Sequence, residues 1–182
     1  MKVKSRPRLS DNVRFEVLDV VHAAALLHFE QENKAWFEQM IAPRSPLFYT
    51  DEGVVEHIET YLADMRDGFM HPLTVWIDNR IVARANLRDI SFAGESASIG
   101  YRVAEAYGGQ GIASACVVKL EEVASGTLGL ATLKADVLDN NPVSKHILEK
   151  HGFSMVQHEK NDTEINGSPL GRTTFRKNIV RL

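Results

Sequence analysis

One cysteine in 182 residues, Cys116, leaves no partner for an intramolecular disulfide and no thiolate set for a cysteine-rich zinc site. The formal net charge is only −3, so no global cationic field would draw the chain to nucleic acid or to an anionic membrane. No apolar run approaches the length that crosses a bilayer, and charges interrupt the N-terminal segment where a signal peptide would need an apolar stretch. Internal repeats, low-complexity tracts and interdomain linkers are lacking as well. These absences leave a soluble, cytoplasmic chain that forms a single domain over residues 1–182. Its 44% hydrophobic content is enough for a sizeable core. Residues 1–10, with Lys2, Lys4, Arg6 and Arg8, read as a flexible N-terminal arm.

The patterning changes character along the chain. Residues 13–18 alternate and read as a strand; residues 19–40 read as helix in two pieces, broken near 31–33. Residues 44–49 contain Pro46 and read as a loop. Thr50 is a helix N-cap followed by Asp51 and Glu52, carboxylates that favour the positive end of the helix dipole. Val54, Ile58, Tyr61, Leu62 and Met65 then recur at helical spacing until Gly68. Strands follow at 73–77, 81–87 and 96–103, the first two joined by a hairpin turn at Asp78-Asn79. From there the order is turn, helix, strand, helix. Ile112, Cys116, Leu120 and Val123 share a helical face, and 133–138 is a buried strand. Asn141 is an N-cap with Pro142 at the first helical position, and Gly152 closes the helix. Residues 153–158 and 173–179 read as closing strands around a polar loop with Asn166-Gly167. An antiparallel meander feeding a βαβα unit implies an α+β fold with a mixed, mostly antiparallel central sheet flanked by helices.

Gly108-Gly109-Gln110-Gly111-Ile112-Ala113 lies between a strand and a helix. Glycines permit positive φ and close backbone approach, and the helix start offers unpaired N–H groups suited to a pyrophosphate. Taken alone, the same turn is equally a plain tight turn. A P-loop would need Lys followed by Ser or Thr where Ile112 and Ala113 stand. A dinucleotide fingerprint would want Gly or Ala at Ser114 and an acid about 20 residues later, whereas the strand-end acid is Asp139.

With Ile99-Gly100-Tyr101 leading into Tyr107-Gly108-Gly109-Gln110-Gly111-Ile112-Ala113, and Asn141-Pro142-Val143-Ser144 leading into Leu148-Glu149-Lys150-His151-Gly152-Phe153, the chain resembles the GNAT superfamily. Within it, the likeness is to the branch of ribosomal-protein alanine N-acetyltransferases. It covers residues 70–182 well and the helical N-terminal part more loosely. The resemblance implies acetyl-CoA as co-substrate, no metal, and direct attack by a primary amine on the thioester. The implied acceptor is a protein N-terminus, with a small amine (polyamine, amino acid or antibiotic) as the alternative enzyme reading and a non-catalytic acyl-CoA sensor as the alternative outside enzymes. No direct nucleic-acid or membrane partner is implied, and the chain would be a monomer or homodimer. Gly108 departs from the superfamily pattern, which has Gln or Arg there. That contact is largely backbone, so binding is expected to survive with reduced affinity.

By the same resemblance Tyr101, Arg102 and Val103 line the pantetheine arm. Gly108, Gly109, Gln110, Gly111, Ile112, Ala113 and Ser114 hold the diphosphate, and Asn141 contacts the pantetheine. From the residues alone, Asn141 is equally a helix cap. Ser144 takes the place of the general acid that protonates the departing sulfur, in chemistry that also needs an oxyanion stabilised. Glu95, Glu105, Asp89 and Glu32 are carboxylates near the strand ends and the helical break. Glu105 is carried as the base, with Asn86 and Glu32 facing the acceptor. An α-amine with a pKa of about 7.7–8.0 needs less help from a base than a lysine at about 10.4. His146 and His151 diverge on their helix, as do His22 and His28, and give no metal pair. Cys116 reads as core, and no Gly-x-Ser-x-Gly elbow points to a hydrolase.

Overall fold

The computed structural model describes residues 13–180, and the basic arm expected over 1–10 lies outside them. Seven strands form one sheet in the order β1-β2-β3-β4-β5-β7-β6. They are β1 (Arg14–Val17), β2 (His71–Ile77), β3 (Arg80–Ser91), β4 (Ser96–Val103), β5 (Thr132–Leu138), β6 (Ser154–Ile165) and β7 (Ser168–Asn178). Five helices flank it: α1 (Ala23–Glu32), α2 (Lys34–Phe37), α3 (Asp51–Arg66), α4 (Ile112–Glu122) and α5 (Pro142–Lys150). Every strand pair is antiparallel except β4 with β5. That parallel pair is bridged by α4, as a parallel connection requires.

Each face of the sheet buries a separate apolar cluster. On one side Ala83, Ala85, Leu87, Ala97 and Ile99 pack against Ile112, Cys116, Val117 and Leu120 of α4. On the other, Leu26 and Phe29 of α1, Phe37 of α2, and Val54 and Ile58 of α3 pack with Trp76 and Ile81. Cys116 is fully buried, and burial pushes its thiol up to about 12, which suits core packing and not nucleophilic use.

The local signals do what their chemistry dictates. The Thr50 hydroxyl accepts from Gly53 N–H and the Asn141 Oδ1 from Ser144 N–H, each satisfying a helix-start donor and contributing roughly 1 kcal/mol. Residues 46–49, expected as loop, form a single 3-10 turn seated on the start of α3. It sits so close that a Cβ on Gly53 would overlap the Leu47 carbonyl. The polar loop expected between the last two strands is strand on both sides, closed by Asn166-Gly167 at φ 51° and 76°. Both values suit a type I′ hairpin. β6 is exposed along nearly its whole length, so its continuation beyond the 153–158 strand carries no apolar alternation to announce it.

Candidate active site

β4 and β5 pair only at Ser96–Thr132, Ala97–Leu133 and Ser98–Lys134, then part company. Beyond that point one edge of β4 has no strand beside it. Ala104 N–H donates to the Val82 carbonyl, and Arg102 is in register with Arg84. Even-numbered residues therefore spend their backbone groups on β3, and by alternation those of Ile99, Tyr101 and Val103 face the gap. An unpaired strand edge is a ready partner for an extended, amide-bearing chain.

The glycine turn sits past the end of this edge. Gly109 and Gly111 have φ of 70° and 84°, the left-handed region where glycine is favoured. A Cβ on Gly109 would meet nothing within 4 Å, so the space above the turn is open. Gly111 caps α4 without any side-chain bond, leaving the first N–H groups of the helix, those of Ile112, Ala113 and Ser114, available to an anion. Gln110 folds its side chain back to the Ala106 carbonyl. Gly108 has φ −61°, which any residue can adopt, although a Cβ there would come within 3.2 Å of the Glu105 carbonyl. Its glycine is thus not demanded by backbone conformation.

α5 faces the gap from the β5 side. Ser144 Oγ donates to the Tyr101 hydroxyl at 2.9 Å, a contact that spans the divergence. Burial raises the Tyr101 pKa, against the smaller opposing effect of the Ser144 bond, so the phenol stays protonated. Asn141 uses its Oδ1 as the helix cap, which leaves its Nδ2 to donate elsewhere.

The opposite face of β3 and β4 is charged. Glu30 and Arg84 are both 1% exposed and joined at 2.7 Å. Arg102 reaches the other Glu30 oxygen at 3.3 Å and lies over the Phe37 ring. Burial pushes the Glu30 carboxyl up, but the guanidiniums of Arg102, Arg84 and Arg44 together outweigh it and hold it below its usual value. Arg84 also donates to His57 Nε2 at 2.8 Å, so that nitrogen must be an unprotonated acceptor. Burial, followed by the nearby Arg84, Arg44 and Arg102, lowers the His57 pKa to about 2. His57 is neutral and its lone pair is taken, which removes it as a base.

Tyr101, Ser144, Asn141 and the turn from Gly108 to Ser114 therefore gather around the gap. Arg102 has different surroundings: its backbone bonds β3 and its side chain enters the charged face. Asn86 lies on that same face, opposite Gly100, with its Oδ1 buried and unpartnered. Glu32 is exposed, ion-paired to Arg80 at 3.0 Å and 3.1 Å from His28 Nε2, away from both. Glu105 is exposed, four residues past Tyr101, or roughly 13 Å along an extended chain. Its own N–H is held by Asn33 Oδ1. Glu30, Arg84, Arg44 and His57 escaped the sequence reading. Glu30 follows Leu26 by four on the buried stripe of α1, and Arg84 sits inside the apolar run 81–87, so both were signalled by charge in a core position. An open trough on the solvent side of α3, lined by Asp51, Glu52, Val55, Glu56 and Glu59, contains none of these groups.

Residues 13–154 match the acetyltransferase (GNAT) domain family. The chain belongs to the GNAT acetyltransferases. It is 29% identical over 153 residues to the probable N-acetyltransferase YjcK of Bacillus subtilis (strain 168), across 82% of this chain and 84% of that one. Among solved structures, ribosomal-protein-S5-alanine acetyltransferase from Vibrio fischeri superposes with a TM-score of 0.86 at 19% identity, covering 92% of this chain and 93% of that one. The ribosomal L7/L12 α-N-protein acetyltransferase RimL in complex with coenzyme A gives 0.85 at 20% identity, covering 96% and 97%. At that identity the likeness establishes a shared fold. As a GNAT enzyme the protein is an acetyl-CoA-dependent N-acetyltransferase, and the unpaired β4 edge and open glycine turn fit that co-substrate. No helix among the described residues is long and apolar enough to cross a membrane.

Proposed function

We propose that this GNAT enzyme acetylates the α-amine of a protein N-terminus, with Ser144 as proton donor to the departing sulfur and Tyr101 as its partner. The observation that carries the reading is the Ser144–Tyr101 hydrogen bond across the β4–β5 gap. Acetyl-CoA supplies the thioester that the amine attacks. The backbone edge of Tyr101 and Val103 holds the pantetheine arm, with the Asn141 amide beside it. The N–H groups from Gly109 to Ser114 hold the diphosphate. Ser144 Oγ gives its proton to the departing sulfur and takes one from the buried, still protonated Tyr101 hydroxyl through the same bond run in reverse; the proton shed by the acetylated nitrogen returns to Tyr101 through solvent, so the pair ends as it began.

The acceptor follows from what surrounds this pair. Glu30 is doubly ion-paired and held ionised, His57 is occupied, Glu32 is tied to Arg80, and Glu105 lies toward the phosphate end. None of these four groups is a free base at the gap. An amine of pKa about 7.7–8.0 is already partly neutral at pH 7, whereas a lysine at about 10.4 would depend on one. Such an acceptor, like acetyl-CoA, would be met in the cytoplasm. RimL, which shares the fold, is named as a ribosomal L7/L12 α-N-protein acetyltransferase and the S5 enzyme as a ribosomal-protein alanine acetyltransferase; a ribosomal-protein N-terminus is the favoured acceptor here.

The test is CoA release from matched peptides, one with a free N-terminus and one blocked there but carrying a lysine. The free terminus should be strongly preferred; equal use of the two peptides would sink the α-amine assignment. Ser144→Ala should lower kcat about 10²-fold with acetyl-CoA affinity intact, as expected for loss of a proton donor. Tyr101→Phe, which removes one hydrogen bond, should cost about tenfold. Unchanged turnover in Ser144→Ala would remove that residue from the mechanism.

A further inference from the structure

The charged face of β3 and β4 holds more positive charge than it compensates. Glu30 faces Arg84, Arg102 and, at longer range, Arg44, while His57 contributes none. Both Glu30 oxygens are taken. Arg102 spends one of its five donors on Glu30 and stacks on Phe37; its side chain is 21% exposed, so it is the member of the cluster open to an incoming group. Arg44 stacks on Phe48 with 4.1 Å to the ring centroid and forms no hydrogen bond or ion pair among the described residues. The Phe48 ring lies 5.1 Å from that of His57, which accepts from Arg84, so Arg44 reaches the same charged face as Arg84 and Arg102. Glu38 acts on Tyr49, as Arg44 and Arg102 do; its Oε1 is buried without a hydrogen-bond partner, with Lys34 4.0 Å away, so counting these two the cluster still carries more positive than negative charge. Burial together with Arg84 and Arg44 draws even the Arg102 pKa down to about 10, against the pull of Glu30. A surplus cation in such surroundings is costly unless an anion arrives to meet it.

A second, independent feature lies beside it. Asn86 is 9% exposed, two residues along β3 from Arg84 and opposite Gly100, which is two residues along β4 from Arg102. Its Oδ1 is buried with no partner, a loss of roughly 1–3 kcal/mol unless something donates to it. Charge without a counter-ion and an acceptor without a donor thus lie side by side, next to the stretch of β4 that borders the gap.

We propose that this face is the acceptor subsite and that it selects amines bearing a carboxylate within a few bonds of the nitrogen. Arg102 and Arg44 receive the carboxylate, and Asn86 Oδ1 receives an N–H of the acceptor. The inference rests on the acetyl-transfer reading of the adjoining gap and adds the class of acceptor to it. The carboxylate has two possible sources, an acidic side chain next to a peptide N-terminus or the α-carboxylate of a free amino acid.

Full-length protein saturated with CoA would be titrated calorimetrically with Ala-Asp and Ala-Asn dipeptide amides, and with alanine against alaninamide. The same compounds would be run in parallel as acceptors with acetyl-CoA. We expect the carboxylate member of one pair to bind at least tenfold tighter, and which pair does so identifies the source. In Arg44→Gln that ratio should fall toward one while acetyl-CoA affinity and thermal stability stay put; Asn86→Ala should weaken both members alike. Equal binding of acid and amide in both pairs overturns the subsite. So does a loss of acetyl-CoA affinity in Arg44→Gln, which would assign the surplus charge to the phosphates of CoA. Selective binding without any acetyl transfer would keep the subsite and sink the acceptor reading on which it was built.

Discussion

The two faces of the β3–β4 ribbon meet the same gap but are built from different materials. On the α4 face the site is made of backbone: an unpaired strand edge, two glycines at positive φ and a bare helix start. On the α1–α3 face it is made of side chains: Glu30, Arg84, Arg102, Arg44, His57 and Asn86. Backbone recognition suits a co-substrate that is always the same, since it is set by topology and tolerates side-chain change. Side-chain recognition suits an acceptor that differs from enzyme to enzyme. Asn33 joins the two halves: its Nδ2 bonds the Phe29 carbonyl of α1 while its Oδ1 holds Glu105 N–H at the entry to the glycine turn.

The comparison breaks most visibly at Glu30. Glu30→Gln leaves Arg84 and Arg102 buried beside each other without a counter-charge. Removing one member of a buried ion pair typically costs roughly 3–5 kcal/mol. Denaturant unfolding should show a loss of that size, with acetyl-CoA affinity of the folded fraction little changed. If acetyl-CoA affinity fell in step with stability, the two faces would not be separable.

A smaller effect on the same face is set by pH. The folded-state pKa of His57 lies below its ordinary 6.5, so between the two values the unfolded chain binds the extra proton. Its contribution is therefore complete above pH 6.5 and declines as pH falls below it, by no more than about 1.4 kcal/mol per pH unit. Glu30, whose pKa is also depressed, adds a loss in the same direction only below its ordinary 4.5. Melting temperature between pH 7.5 and 5 should fall in the native protein and less in His57→Gln. Parallel curves for the two proteins would show that His57 is not held neutral.

On the α4 face the corresponding change is Gly109→Ala. The new methyl meets no protein atom, so its cost is the left-handed backbone, roughly 1–2 kcal/mol, plus whatever it takes from the open space above the turn. Steady-state kinetics should show a higher KM for acetyl-CoA and an unaltered acceptor KM.

The same contrast explains what could be read from the sequence. The glycine turn, the Thr50 and Asn141 caps, the α1–α2 break and the antiparallel pairing of the strands between 73 and 103 were legible because each is specified by neighbours a few residues away. The Glu30–Arg84 pair spans 54 residues and the Tyr101–Ser144 bond 43, so neither leaves a local pattern. The choice between Glu30 and Glu32 was open to helix phase, since Leu26, Phe29 and Glu30 share the buried stripe and Glu32 turns out to Arg80. Tyr101, Arg102 and Val103 could be named together as arm-lining residues, but only strand parity separates Arg102 from the other two. The first half of β6 was read as a strand, but its continuation over 159–165 passed for loop because nearly all of its residues face solvent, and period-2 reading needs one buried face.

The smallest expected change tests whether the α4 face gains from a side chain at all. Gly108 stands where GNAT sequences usually place Gln or Arg, yet its φ of −61° would accept either. Gly108→Arg would bring a guanidinium to the rim of the turn, at the expense of a 3.2 Å approach of its Cβ to the Glu105 carbonyl. The 3-10 turn at 105–107 is short and exposed, so it can give by the few tenths of an ångström required. An exposed charge pair contributes about 0.2–1 kcal/mol, which predicts a KM for acetyl-CoA lowered by a few-fold at low salt, with the gain fading as salt is raised. Acceptor kinetics should not respond. A raised KM would mean that the Glu105 carbonyl cannot move and that glycine is kept at 108 for space. In that case the turn selects its residues by shape alone, and the backbone character of this face is complete.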